Sequence, residues 1–355
     1  MNGAKADKDL TVEKKIRMDG LEFFNINTQP FEIRGVFYEN GKYRRLPESL
    51  GESLNEGLKY NYTNTSGGRV RFKTDSSVIA ISVKMNGICK MSHCALTGST
   101  GFDMYYNEGE KCKYFGTFIP PFDVTDEGFE SKHDFKTTKL REITINFPLY
   151  SGVSEFNIGV CEGSILEKPN VYKCETPIVY YGHSITQGGC ASRPGNSFPS
   201  IISRRFDIDY INLGFAGGAK GEKEIAEYIS ELDMSLLVYD YDHNAPNFEY
   251  LKETHEKMFK IIRNKHPNLP IIMMTTTAMP RFDIDHKERK EVVYQTYKNA
   301  VDNGDENVYF LDGNTIYSIC GDDDFSGTVE GNHANDLGFT FIAKVLGDMI
   351  EKILF

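Results

Sequence analysis

Ser184 stands in Tyr181-Gly182-His183-Ser184-Ile185-Thr186-Gln187-Gly188, between the apolar run PIVYY and the helical stretch SFPSIISRRF. At a strand-to-helix junction a serine hydroxyl lies at the sheet rim, beside backbone N–H groups and the positive end of a helix dipole, which suits a nucleophile. The same position also suits an N-cap or turn serine, and the elbow G-x-S-x-G is absent because residue 186 is Thr. A hydroxyl nucleophile needs a base and a partner that orients the base. Of the eight histidines, His255, His266 and His286 fall on charged helical stretches, and His93 and His133 fall in the N-terminal half. His183, His243 and His333 fall at strand–helix junctions. Glu330 precedes His333 by three residues in Glu330-Gly331-Asn332-His333. A carboxylate so placed can take the Nδ1 proton and leave Nε2 to accept from a serine, although a surface-loop histidine accounts for these residues equally well.

The elements that must position these groups change character near residue 175. From about residue 20 the chain carries short alternating runs: FEIRGVFY, GRVRFKT, VIAISVKM, GFDMYYN, KYFGTFI, REITINFPLY and EFNIGV. Gly, Asn, Asp and Pro clusters separate them, and such a pattern predicts an antiparallel β-sandwich, jelly-roll-like, over residues 18–175. Residues 1–17 are expected to be a charged tail. After Pro177 the apolar runs PIVYY, YINLGF, SLLVYDY, PIIMMTTT and NVYFLDG alternate with amphipathic helical stretches. That alternation predicts a three-layer, flavodoxin-like α/β domain with a parallel sheet over residues 176–355. In such a sheet the ligand site lies at the carboxyl ends of the strands, where the serine and the three junction histidines fall.

Composition excludes other classes. With 51 acidic against 40 basic residues the formal net charge is -11, a poor match to nucleic acid or an anionic membrane. No apolar run approaches the roughly 18–20 residues of a membrane span, and the start carries no secretory pattern, so a cytoplasmic location is expected. The seven cysteines form no C-x-x-C pair and suggest neither a disulfide framework nor a zinc cage. The N-x-S/T matches at Asn61 and Asn64 would matter only in a secreted chain. Asp240 and Asp242 are expected to brace loops rather than bind metal, Asp322-Asp323-Asp324 to be a solvated loop, and no cofactor is called for.

Four blocks occur in order: Gly182-His183-Ser184-Ile185-Thr186, Asn212-Leu213-Gly214-Phe215-Ala216-Gly217, Asp240-Tyr241-Asp242-His243-Asn244 and Glu330-x-x-His333. Together they resemble the SGNH or GDSL-type esterase/acylhydrolase superfamily. The resemblance implies Ser184 as nucleophile, His333 as base, Glu330 as the third member of a triad, and an oxyanion hole of Ser184, Gly214 and Asn244. Upstream, Arg45-Leu46-Pro47, Arg71-Phe72-Lys73-Thr74-Asp75-Ser76 and Gly101-Phe102-Asp103-Met104-Tyr105 look like the β domain called GxDLY, with Met where that pattern has Leu. Asp103 is expected to serve the strands around it and not the chemistry.

Two departures bear on the triad: Glu330 where the family usually has Asp, and Ala334 where it usually has Pro. A longer carboxylate works only if the loop retreats, and a misplacement of about 1 Å can cost about a hundredfold in rate. The expected activity is hydrolysis of short-chain acyl esters, foremost O-acetyl groups on oligosaccharides. The alternatives are a short-chain acylhydrolase or thioesterase acting on a non-sugar metabolite, and a catalytically weakened binding protein. Partners are thus a small-molecule or oligosaccharide ester, with no nucleic acid and no membrane; a homo-oligomer is left open.

Overall fold

The computed structural model describes residues 11–109, 111–277 and 285–355; the first ten residues of the expected tail lie outside them. The chain divides into two compact units. One holds the chain up to Arg45, Thr63–Val171 and Ser192–Gly195; the other holds Leu46–Tyr62, Tyr172–Ala191 and Asn196–Phe355.

Alternating side chains build the first unit. In Val78–Asn86 the side chains of Ile79, Ile81, Val83 and Met85 are buried, the period-2 spacing of a strand with one covered face. This strand lies between Phe129–Asp134 and Gly152–Cys161, and Leu21–Asn25 completes the sheet beyond the latter. The second sheet runs Leu166–Glu167, Arg69–Thr74, Arg141–Asn146, Phe102–Glu108 and Lys111–Phe118, with Glu32–Arg34 also on Arg69–Thr74. Both sheets send side chains into one core, where Phe102 meets Phe156 edge-on at 5.0 Å and Phe147 meets it at 5.2 Å. The antiparallel β-sandwich is therefore present. The run FEIRGVFY is two short strands, Glu32–Arg34 and Phe37–Glu39, broken at Gly35 with φ +75°. Asp103 is wholly buried: Oδ1 accepts from Asn146 Nδ2 and Oδ2 from the Gly195 N–H, each at 2.9 Å.

The second unit is a parallel sheet in the order Ile208–Gly214, Cys174–Gly182, Leu236–Asp240, Ile271–Met274, Val308–Leu311. This is the flavodoxin-like 2-1-3-4-5 order, whose switch point lies beside the first strand. All five residues of Leu236–Asp240 are buried, as expected for a strand covered on both faces. Helices Phe198–Phe206, Lys223–Ser230, Phe248–Lys265, His286–Asp302 and Asp336–Leu354 occupy the stretches where amphipathic patterning predicts them. Two short helices not anticipated there, Glu48–Gly51 and Glu56–Asn61, also belong to this unit. Leu54, Leu58 and Tyr62 of this segment pack in the same core as Leu213, Phe215 and Ala219. No helix among the described residues is long and apolar enough to cross a membrane.

Candidate active site

Ser184 opens the helix Ser184–Gln187 immediately beyond the strand Cys174–Gly182. His183 caps it, its Nδ1 accepting the Ile185 N–H at 3.2 Å. An acceptor at Nδ1 leaves the proton on Nε2, which stands 3.0 Å from Asp240 Oδ1. The other Asp240 oxygen accepts from Thr186 Oγ1 at 2.8 Å, so one buried carboxylate holds both neighbours of the Ser184–Ile185 pair. The strand register explains the contact, since Gly182 lies opposite Asp240.

His333 reaches Ser184 from the loop before the last helix. Ser184 Oγ lies 2.9 Å from His333 Nε2, and His333 Nδ1 lies 2.6 Å from Glu330 Oε1. Glu330 thus spans the gap despite its extra methylene. The loop is braced without the family's proline: Thr328 bridges Ala334, the Val329 N–H donates to His333 O at 2.9 Å, and Asn335 Nδ2 donates to Ser326 O at 2.8 Å. Asp322 accepts the Ser326 and Gly327 N–H groups at 2.9 and 2.7 Å, so the first carboxylate of the acidic run braces this loop from within.

The loops after the two flanking strands are stitched to the elbow. Asn212 Nδ2 donates to Thr186 O at 2.8 Å, the Phe215 N–H to Gly182 O at 2.9 Å, and the Ala216 N–H to Gln187 Oε1 at 2.8 Å. Asn244, in the short helix Asp242–Asn244, donates from Nδ2 to Phe215 O at 2.9 Å and accepts the Gly217 N–H on Oδ1 at 3.2 Å. One Nδ2 hydrogen is left over from these two bonds. Gly214 packs against the elbow. Its N–H is donated to Asn212 Oδ1 at 2.8 Å, and a Cβ there would stand 2.3 Å from Gln187 N. Gly214 lets the elbow lie close on its strand, with its N–H engaged by the Asn212 side chain. Gly217, exposed and next to Asn244, follows the strand end by three residues, so position along the chain does not mark it.

His183, Asp240 and Asp242 lie close enough together to share an ion, with ligand atoms within 4.8 Å of one another. Spacing in the chain hides this grouping, which strand pairing creates. The protein itself occupies the cluster: Asp242 accepts the Thr276 N–H on both oxygens at 3.1 Å and the His243 N–H at 2.8 Å. Burial and the neighbouring Asp240 push the Asp242 carboxyl above its usual pKa. Burial disfavours a charged His183, yet Asp240 and Asp242 outweigh it and raise the imidazole pKa. His243 meets His183 edge-on at 5.8 Å.

Residues 175–351 match the model of the GDSL-like lipase/acylhydrolase family, and residues 21–166 match that of the N-terminus of Esterase_SGNH_hydro-type proteins, GxDLY. The chain belongs to the GDSL-like lipase/acylhydrolase family. Within it, this is the subgroup with a GxDLY domain ahead of the hydrolase domain, and the activity class is carboxylic ester hydrolysis. The GDSL-like chain is 27% identical to a Bacteroides ovatus protein described as a GDSL-like lipase, covering 94% of this chain and 98% of that one at a TM-score of 0.83. It shares its fold with the salicylyl-acyltransferase SsfX3 of a tetracycline biosynthetic pathway, at 19% identity, 95% and 99% coverage and a TM-score of 0.77. The fold also matches a family two carbohydrate esterase from Cellvibrio japonicus at 10% identity, 94% and 98% coverage and a TM-score of 0.61. No protein of curated function matches.

Proposed function

We propose that this hydrolase removes short acyl groups, foremost O-acetyl, from oligosaccharides through an acyl-enzyme on Ser184. The observation that carries the reading is the unbroken line from Ser184 Oγ to His333 Nε2 at 2.9 Å and from His333 Nδ1 to Glu330 Oε1 at 2.6 Å. With Nδ1 donating to Glu330, Nε2 is the acceptor for the serine proton. Ser184 Oγ attacks the acyl carbon, and His333 takes the proton and returns it to the leaving alcohol. Water then attacks the acyl-enzyme, with His333 again as base. The oxyanion lies against the Ser184 N–H and the remaining Nδ2 hydrogen of Asn244. Glu330 holds the tautomer and balances the imidazolium formed in each step.

The sugar-ester preference is supported by the full-length likeness of fold to a carbohydrate esterase; the lack of tryptophan weighs against a stacking platform for sugars, and 20 tyrosines offset it. Tyrosines can stack on sugar faces. The test is steady-state hydrolysis of p-nitrophenyl esters of increasing acyl length, then of acetylated oligosaccharides, for the wild type beside Ser184→Ala. Turnover highest on acetate, lost in Ser184→Ala and retained on acetylated sugars supports the proposal. A preference for longer acyl groups or for thioesters moves the substrate to a non-sugar metabolite. Turnover no higher than that of Ser184→Ala on every ester leaves a binding role.

A further inference from the structure

The helix Glu56–Asn61 comes from the sequence ahead of most of the β domain, yet it belongs to the hydrolase unit. Asn55 caps it by accepting the Leu58 N–H at 3.1 Å, and its Nδ2 donates to Gly218 O at 3.0 Å and to Glu222. Gly57 and Gly218 meet so closely that a Cβ on either would lie 2.9 Å from the backbone of the other. That approach brings Asn61, only 3% exposed, onto the loop after the second strand. Its Nδ2 donates to Ala216 O at 2.9 Å and to Gly57 O at 2.7 Å.

Ala216 O and the Gly217 N–H belong to one planar trans peptide and point in opposite directions. Holding the oxygen from one side therefore aims the N–H to the other, where Asn244 Oδ1 accepts it at 3.2 Å. Nothing steric maintains this orientation, since Gly217 has φ +65° and open space where a Cβ would be. A reversed peptide would present a carbonyl oxygen to Asn244 Oδ1, and the amide would keep only its bond to Phe215 O, one of the two that set its plane. We propose that Asn61 is a positioning residue for Asn244, acting through the Ala216–Gly217 peptide. This rests on the esterase reading, in which Asn244 stabilises the oxyanion.

The experiment is a double-mutant cycle with Asn61→Ala and Asn244→Ala in the full chain, assayed on p-nitrophenyl acetate with folding checked by circular dichroism. Asn61→Ala should lower kcat by about tenfold to a hundredfold with KM nearly unchanged. Affinity for an alkyl boronic acid, which forms a tetrahedral adduct on the serine, should fall by a similar factor. In the Asn244→Ala background the same substitution should change kcat little, because its target is gone. Asn61→Asp, nearly isosteric but without the amide donor, carries the same test if Asn61→Ala does not fold. Unchanged kcat in a folded variant, or an equal loss with and without Asn244, would overturn the proposal. Turnover persisting in Ser184→Ala would instead defeat the esterase reading itself.

Discussion

Glu330 Oε1 accepts from His333 twice, from ring Nδ1 at 2.6 Å and from the backbone N–H at 3.1 Å. The carboxylate curls back over its own loop, and this curl takes up the methylene that distinguishes it from aspartate. The backbone at residue 330 is therefore set for the longer side chain.

Restoring the family's residue should for this reason harm the enzyme. Glu330→Asp leaves the carboxylate short of Nδ1, and kcat on p-nitrophenyl acetate is expected to fall by about tenfold to a hundredfold. Activity equal to wild type would show that the loop adjusts freely.

Gly214 and Asn244 should separate when each is replaced by alanine. At Gly214 the new Cβ meets Gln187 N at 2.3 Å and must lift the elbow, so stability should fall by about 1–3 kcal/mol together with activity. Asn244→Ala should cost less stability, about 0.5–1.5 kcal/mol for its lost side-chain bonds, and lower kcat by about a hundredfold to a thousandfold. Thermal melts beside kinetics distinguish the two; equal melting of the two variants would contradict the packing role.

Arg289 grips the Asn244 loop from the helix His286–Asp302. Nη1 donates to Asp242 O at 2.7 Å and Ala245 O at 2.8 Å, one on each side of Asn244, while Nε pairs with Asp285 at 2.8 Å. A lysine cannot reproduce this planar set of bonds. Arg289→Lys is expected to cost about 1–3 kcal/mol of stability and to lower kcat more than it raises KM. Urea titrations with initial-rate kinetics provide the check, and a wild-type kcat would remove Arg289 from the positioning of Asn244.

Acid should weaken the fold through His255. This wholly buried imidazole bonds to Thr296 Oγ1 at 2.9 Å, and burial lowers its pKa to about 3. An unfolded histidine takes up a proton below about pH 6.5. Between those values the unfolded state binds the extra proton, so stability is complete above the unfolded pKa and declines as pH falls. The decline from this one group is at most about 1.4 kcal/mol per pH unit. Urea unfolding from pH 7 to pH 4 should show a shallower slope in His255→Gln; parallel slopes would exclude the contribution.

Residue types and periodicity reveal the sandwich, the parallel sheet, Ser184 and the Glu-x-x-His pair, because each is expressed within a short stretch of chain. Adjacency to a strand end does not disclose where the Gly214 N–H points, which depends on Asn212 two residues earlier. Asp240 as a partner of His183 depends on strand register. Asn61 showed only as an N-x-T match, and Phe129–Asp134 carries charges that obscure its strand. The features hidden in the sequence are contacts between segments far apart in the chain.

The two units are interleaved along the chain, with Leu46–Tyr62 supplied to the hydrolase and Ser192–Gly195 supplied to the β-sandwich. For heredity this matters as much as for folding. A recombination breakpoint near residue 172 would separate the hydrolase from Leu54, Leu58 and Tyr62 of its own core, and would separate Asp103 from Gly195. The halves cannot be exchanged cleanly with other genes at a single junction, so they are expected to diverge as one inherited block.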